Sequence, residues 1–212
     1  MKIFETIREA LQDKEVKIVL PEGEEPRILQ ATKRLVNETS ITPVLLGNPE
    51  KIRIYLEIES VTDGYEVIDP QNCSCFEEMV AAFVERRKGK ITEDEARKLL
   101  KEDVNYFGVM LVYLGKVQGM VSGAVHSTAS TVRPALQIIK TLPWVSRTSG
   151  AFLMVRDDER YVFSDCAINI DPDAKTLAEI AINSALTAQI FGIDPKVAML
   201  SYSTKGSGFG EK

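Results

Sequence analysis

The sequence holds one histidine, three cysteines and one tryptophan in 212 residues, and these scarcities exclude whole classes of function. An odd cysteine count gives no disulfide framework. Cys73-Ser74-Cys75 has no second cysteine pair to complete a four-ligand zinc site, so the pair reads as a structural loop element. No run approaches the roughly 18 apolar residues of a membrane span. The opening Met1-Lys2-Ile3-Phe4-Glu5 carries charge every few residues, unlike a secretory leader. Basic excess is missing too: 26 Lys and Arg face 31 Asp and Glu, for a formal net charge of −5. A nucleic-acid binder would show a basic patch or tail. The P-loop spacing G-x-x-x-x-G-K-[ST] is absent, as are internal repeats and low-complexity tracts. The expectation is a cytoplasmic protein with no nucleic-acid or membrane partner and no metal.

What is present fits an ordinary globular protein, with 44% hydrophobic and 27% charged residues. Apolar periodicity alternates between strand and helix. Ile3, Phe4, Ile7 and Leu11 form a helical stripe. Val16–Leu20 reads as a strand, followed by a helix bearing Ile28, Leu29 and Leu35. Residues 41–46 read as a second strand. A helix follows Asn48-Pro49, because Asn caps and Pro suits a first turn. Residues 65–70 give a third strand. Helices are expected over 76–88, after the Thr92-x-x-Glu95 capping box, and over 105–114. A strand at 117–121 leads to a helix over 131–140, with Pro134 placed in its first turn. Residues 151–155 and 161–163 form a hairpin, 173–191 a long helix and 197–200 a strand. This alternation predicts an α/β fold with a mainly parallel sheet. Pro143, Ser146, Ser149 and Gly150 mark a boundary, giving a first domain over 1–145 and a second over 146–212. The chain stops in a glycine loop after its last strand, where a helix normally follows, so the second domain is expected to be incomplete.

Two loops could hold an anion. Residues 119–140 run from a strand through Ser122, Gly123, His126, Ser127, Thr128, Ser130 and Thr131 into a helix bearing Arg133. Unpaired N–H groups, hydroxyls and a guanidinium suit phosphate; a capped helix start with a surface arginine is the alternative. The second loop, 201–207, sets Lys205 among hydroxyls and glycines. Arg86 and Arg87 end a helix, where the dipole alone accounts for them. His126 could act as an acid–base group or serve as a hydrogen-bonding loop residue. Cys166 has no evident histidine partner and reads as a small buried side chain.

The strings GMVSGAVHSTASTVRPALQIIKT, YFGVMLVYLG, VFSDCAINIDPDA and AMLSYSTKGS closely resemble the bacterial phosphate acetyltransferase family. The resemblance covers essentially the whole chain, from LPEGEEPRILQA onward. Ser130 departs from the Asp or Asn of many members. The resemblance implies an isocitrate/isopropylmalate dehydrogenase-like architecture of two domains with a cleft between them. It implies reversible acetyl transfer between acetyl phosphate and coenzyme A by direct thiolate attack, without metal or cofactor, coenzyme A being a substrate. It assigns substrate binding to Arg133 and Arg86, with Arg87 as the rival of Arg86; the two anion-binding loops add Ser127, Thr128, Thr131 and Lys205. The family's base Asp and a Ser-Arg pair belong to a later motif beyond Lys212, so this chain alone is expected to be inactive. The ligands implied are acetyl-CoA, acetyl phosphate and phosphate, in a homodimer. Phosphate butyryltransferase and a non-catalytic acetyl-CoA-sensing module are the alternatives; Met1 opening directly into the family's first helix favours a standalone enzyme.

Overall fold

The computed structural model describes residues 2–200, which divide into two compact units, one over Glu5–Lys140 and the other from Thr141 onward together with the first residues up to Phe4. The first opens with α1 (Lys2–Leu11) and β1 (Val16–Leu20). Then come α2 (Pro26–Glu38), β2 (Ile41–Leu46), α3 (Pro49–Ile58) and β3 (Glu66–Ile68). Helices α4 (Phe76–Arg87), α5 (Glu93–Glu102) and α6 (Val104–Tyr113) follow, then β4 (Gly119–Met120) and α7 (Thr128–Ile138).

Local chemistry sets these boundaries. Glu25 caps α2 by accepting from the N–H groups of Arg27 and Ile28, with Pro26 in the first turn. Asn48 does the same for α3 ahead of Pro49. Thr92 and Glu95 form the reciprocal capping box that starts α5. Strands β1 and β2 are rich in Val, Ile and Leu and bury their C-terminal halves, the pattern of strands covered on both faces.

The four strands lie in the order β3-β2-β1-β4, and every pairing is parallel. One face packs through Leu29, Leu45, Ile52 and Leu56 against α2 and α3. The other packs through Val19, Val44, Phe83, Phe107, Met110 and Ile138 against the layer of α4 to α7. At the end of β1, Gly23 donates its N–H to Leu46 O at 3.1 Å. A Cβ at Gly23 would stand 2.5 Å from that oxygen, so only glycine fits. Cys73 and Cys75 are joined to each other; the link spans one residue, so it constrains the turn before α4 and no long-range contact.

The second unit holds the antiparallel hairpin β5 (Ala151–Arg156) and β6 (Glu159–Ser164), then α8 (Ala174–Ile190) capped by Asp173. One face of the hairpin leaves Phe152, Met154, Tyr161 and Phe163 exposed.

Two expected elements differ. Helix α7 starts a turn earlier than the apolar pattern suggested, because Ser127 caps it, so Pro134 lies buried in its interior rather than in its first turn. Residues 197–200 form no strand: they have no partner strand among the described residues, and Val197, Met199 and Leu200 are exposed. No helix among the described residues is long and apolar enough to cross a membrane, and none of their side chains cluster as a metal site.

Candidate functional site

Strands β1 and β4 are neighbours, but their chains leave in opposite directions. After β1 the chain passes to α2 on one face; after β4 it passes to α7 on the other. Such a reversal opens a crevice at the carboxyl ends of the two strands, where open parallel sheets bind ligands. Two loops meet there, residues 21–25 and residues 121–127.

The second loop is held from several sides. The Glu22 side chain is 1% exposed. Its Oε2 accepts from the N–H groups of Gly123 and Ala124 at 3.0 and 2.8 Å. Its Oε1 accepts from those of Val125 and His126 at 2.8 and 2.9 Å and lies 2.7 Å from His126 Nδ1. Burial alone would raise the Glu22 carboxyl, but the N–H groups of Val125, Ala124 and His126 and the His126 ring outweigh it and hold the group at about 2. Ser122 Oγ donates to Asn105 Oδ1 at 2.7 Å, and Arg27 Nη2 donates to Ala124 O at 2.7 Å. The backbone donors of 123–126 are therefore occupied by the protein's own carboxylate. Any anion at this segment must use the side chains and the first turn of α7.

In that turn Ser127 Oγ accepts from Ser130 N at 3.2 Å, and Thr131 Oγ1 donates to Ser127 O at 3.2 Å. These hydroxyls serve the helix start, while Thr128 is exposed. Arg133 lies on the wall of an open cavity of about 440 Å³. Arg87, Lys90 and Lys98 share this cavity, with Glu95, Glu102, Tyr106 and Gln137. Four cations thus meet two carboxylates, and none of the four has an ion-pair partner among the described residues. Tyr106 is buried and donates from its hydroxyl to Gln137 Oε1 at 2.9 Å. Burial, then the charge of Asp103, raises the Tyr106 hydroxyl above its ordinary value, while Arg133 and Arg87 pull it back.

The structure treats the two helix-ending arginines differently. Arg86 donates to the carbonyls of Ile138 and Ile139, closing the end of α7, and its guanidinium lies 5.3 Å from the Tyr113 ring centre. Arg87 faces the cavity with Arg133. Lys140 sits in the same basic neighbourhood and is held below its usual range, first by Arg86. Lys205 lies outside the described residues. Glu22, Tyr106, Lys98 and Gln137 carried no sequence signal of their own. A lone Glu-Gly after a strand is common, and a tyrosine within an apolar helix reads as core.

In the second unit, Asp165 gathers one loop much as Glu22 does. It accepts from the N–H groups of Gly150, Ala167, Ile168 and Asn169 and from Asn169 Nδ2. Cys166 is half-buried beside Gly150.

The family model described as phosphate acetyl/butaryl transferase matches residues 2–212. The phosphate acetyltransferase of Bacillus subtilis (strain 168) is 54% identical over 206 residues, covering 97% of this chain and 64% of the relative. That of Staphylococcus epidermidis (strain ATCC 12228) is 55% identical, covering 97% and 62%. Among solved structures, a phosphotransacetylase from Streptococcus pyogenes superposes with a TM-score of 0.90 at 56% identity, covering 99% of this chain and 64% of that one. The EutD phosphotransacetylase from Staphylococcus aureus gives 0.87 at 52% identity, with the same coverage. The chain spans 62–64% of the length of these relatives.

Proposed function

This chain belongs to the phosphate acetyl/butaryl transferase family, and on that premise we propose that it supplies the greater part of a phosphate acetyltransferase, moving an acetyl group between acetyl phosphate and coenzyme A. The observation that carries this reading is the convergence of Arg87 and Arg133, with Lys90 and Lys98, on one open cavity of an otherwise acidic chain. Both substrates are phosphate anions, and an acidic protein must collect cations locally to hold them. Arg87, rather than Arg86, is the partner of Arg133 in this role, because Arg86 Nε and Nη2 are bonded to the carbonyls at the end of α7.

The reaction follows from the substrates. The coenzyme A thiol gives its proton to a base, and the thiolate attacks the acetyl carbonyl of acetyl phosphate. The C–S bond forms, the C–O bond to phosphate breaks, and phosphate leaves with the electron pair. Arg87 and Arg133 hold the phosphate anion and stabilise it as it departs. Thr128, Ser127, Thr131 and Lys205 complete the binding set in this reading. In this reading the base and the donors to the carbonyl oxygen come from the part of the relatives that the chain does not span. The larger architecture is the isocitrate/isopropylmalate dehydrogenase-like one, with a second domain from residue 146, working in the cytoplasm as a homodimer. Acetyl is favoured over butyryl because relatives at 54% and 55% identity bear the acetyl name.

The test is a coupled assay of acetyl-CoA formation from acetyl phosphate and coenzyme A. It compares the 212-residue chain with a chimaera that adds the part of the Streptococcus pyogenes relative the chain does not cover. Turnover by the chimaera, abolished by R133A, supports the reading. A chimaera that folds yet turns over butyryl phosphate alone, or nothing, overturns it.

A further inference from the structure

The acetyl-transfer reading leaves unused the most heavily bonded charge in the first unit. Glu22 takes four backbone N–H groups and a ring nitrogen onto one carboxylate that is 1% exposed. The four backbone bonds are sufficient to fix residues 123–126. The fifth, to His126 Nδ1, fixes a side chain instead, and a loop tie does not require it.

That fifth bond has a chemical consequence. With its carboxyl held at about 2, Glu22 is an anion and only accepts. The hydrogen between them therefore sits on His126 Nδ1. A neutral ring in this tautomer keeps its lone pair on Nε2. The His126 side chain is 32% exposed, and no described residue bonds Nε2. A buried carboxylate behind an imidazole also offsets the charge of a ring that takes a second proton. The charged groups facing this loop are Glu22 at the end of β1 and Arg27 on α2, the latter through Ala124 O. The pair lies where β1 and β4 diverge, and His126 immediately precedes Ser127, the cap of α7.

We infer that Glu22 is a positioning residue and that His126, oriented by it, is a substrate contact whose Nε2 hydrogen-bonds a phosphoryl oxygen of the acyl phosphate. The inference rests on the acetyl-transfer reading above. The contact uses the ring edge opposite the one that Glu22 holds.

Because the chain has one histidine, its ring nitrogens give one pair of ¹⁵N resonances. In the free chain Nδ1 is expected at the position of a nitrogen that carries a hydrogen toward Glu22. Titration with acetyl phosphate, and separately with inorganic phosphate, is expected to shift the Nε2 resonance while Nδ1 stays in place. H126N keeps an amide donor where Nδ1 was and so preserves the Glu22 tie, but it lacks Nε2. Loss of one hydrogen bond to a charged group predicts about tenfold weaker acetyl phosphate binding for H126N at unchanged thermal stability. E22Q releases the tautomer preference and weakens binding similarly; if E22Q fails to fold, H126N still decides the matter. If the Arg133 Nε signal responds to acetyl phosphate while the His126 ring stays still and H126N binds as the parent does, His126 is a structural tie and the inference is wrong, with the function intact. If neither signal responds, the functional reading falls and takes the inference with it.

Discussion

Arg86 reaches from the last turn of α4 to the carbonyls of Ile138 and Ile139, at 2.5 and 2.8 Å, and closes the end of α7. The last carbonyls of a helix have no partners of their own, and a guanidinium satisfies them while matching the negative end of the dipole. Its neighbour Arg87, one residue on and so rotated about the helix axis, faces the cavity instead. The expected outcome is a clean division between two adjacent residues. R86A loses about 2 kcal/mol of stability through charge-assisted bonds and stacking on Tyr113. R87A unfolds as the parent does but binds phosphate compounds more weakly. Urea denaturation of the two variants checks the first half of this division; equal stability losses would contradict it.

Acid should loosen the loop that Glu22 holds. The Glu22 carboxyl is lowered from 4.5 to about 2 in the folded chain. A depressed carboxyl contributes its stability above the unfolded value and loses it as pH falls toward the folded one. The difference corresponds to about 3 kcal/mol, present above pH about 4.5 and mostly gone by about 2. E22Q should flatten the fall in stability over that window, measured as unfolding midpoint against pH. An identical acid profile in parent and variant would show that Glu22 does not drive it.

Asp165 carries the same logic in the second unit. Burial would raise its carboxyl, but the N–H groups of Ala167, Asn169 and Gly150 and the Asn169 side chain overcome this and hold it well below the usual range. D165A strands these donors, each costing about 1–3 kcal/mol if left without water. Amide hydrogen exchange at residues 166–169 should accelerate in D165A while exchange in β1 and β2 is unchanged.

Gly23 is expected to resist substitution even by alanine. A Cβ would meet Leu46 O at 2.5 Å and Leu46 N at 2.9 Å, both backbone atoms of a buried strand. Overpacking of this kind costs about 1–3 kcal/mol. Gly89 has nothing within 4 Å of its would-be Cβ, and only its φ of +78° opposes a side chain. Thermal melts of G23A and G89N, the asparagine being tolerant of positive φ, should rank G23A far lower. The reverse order would mean that the β1–β2 contact yields easily.

Much of the first unit was legible because its signals are local. Val16–Leu20 and residues 41–46 are short apolar runs, and the Asn48-Pro49 and Thr92-x-x-Glu95 pairs mark helix starts within four residues. Where packing overrides local preference, sequence reading failed. Pro134 argues for a helix start close before it, yet Ser127 caps α7 about a turn earlier than expected, and burial retains the proline inside. Residues 197–200 have strand-like composition, but a strand exists only beside a partner, and pairing is not written in four residues. The candidate site divided in the same way. Arg133 and the hydroxyls before it were visible as a pattern. The choice between Arg86 and Arg87 depends on which side of α4 meets α7, and Glu22 acquires its meaning from bonds to residues about a hundred positions away.

The most direct test of the central claim is calorimetric titration of the 212-residue chain with coenzyme A and with acetyl phosphate, in the parent and in R87A, R133A and R86A. The account predicts binding by the parent, weakened about tenfold or more by R87A and by R133A. It predicts nearly parental affinity for R86A at a temperature where that variant is folded. Parental affinity in both R87A and R133A would contradict it, because the cavity those arginines share would then not be where the phosphate groups bind.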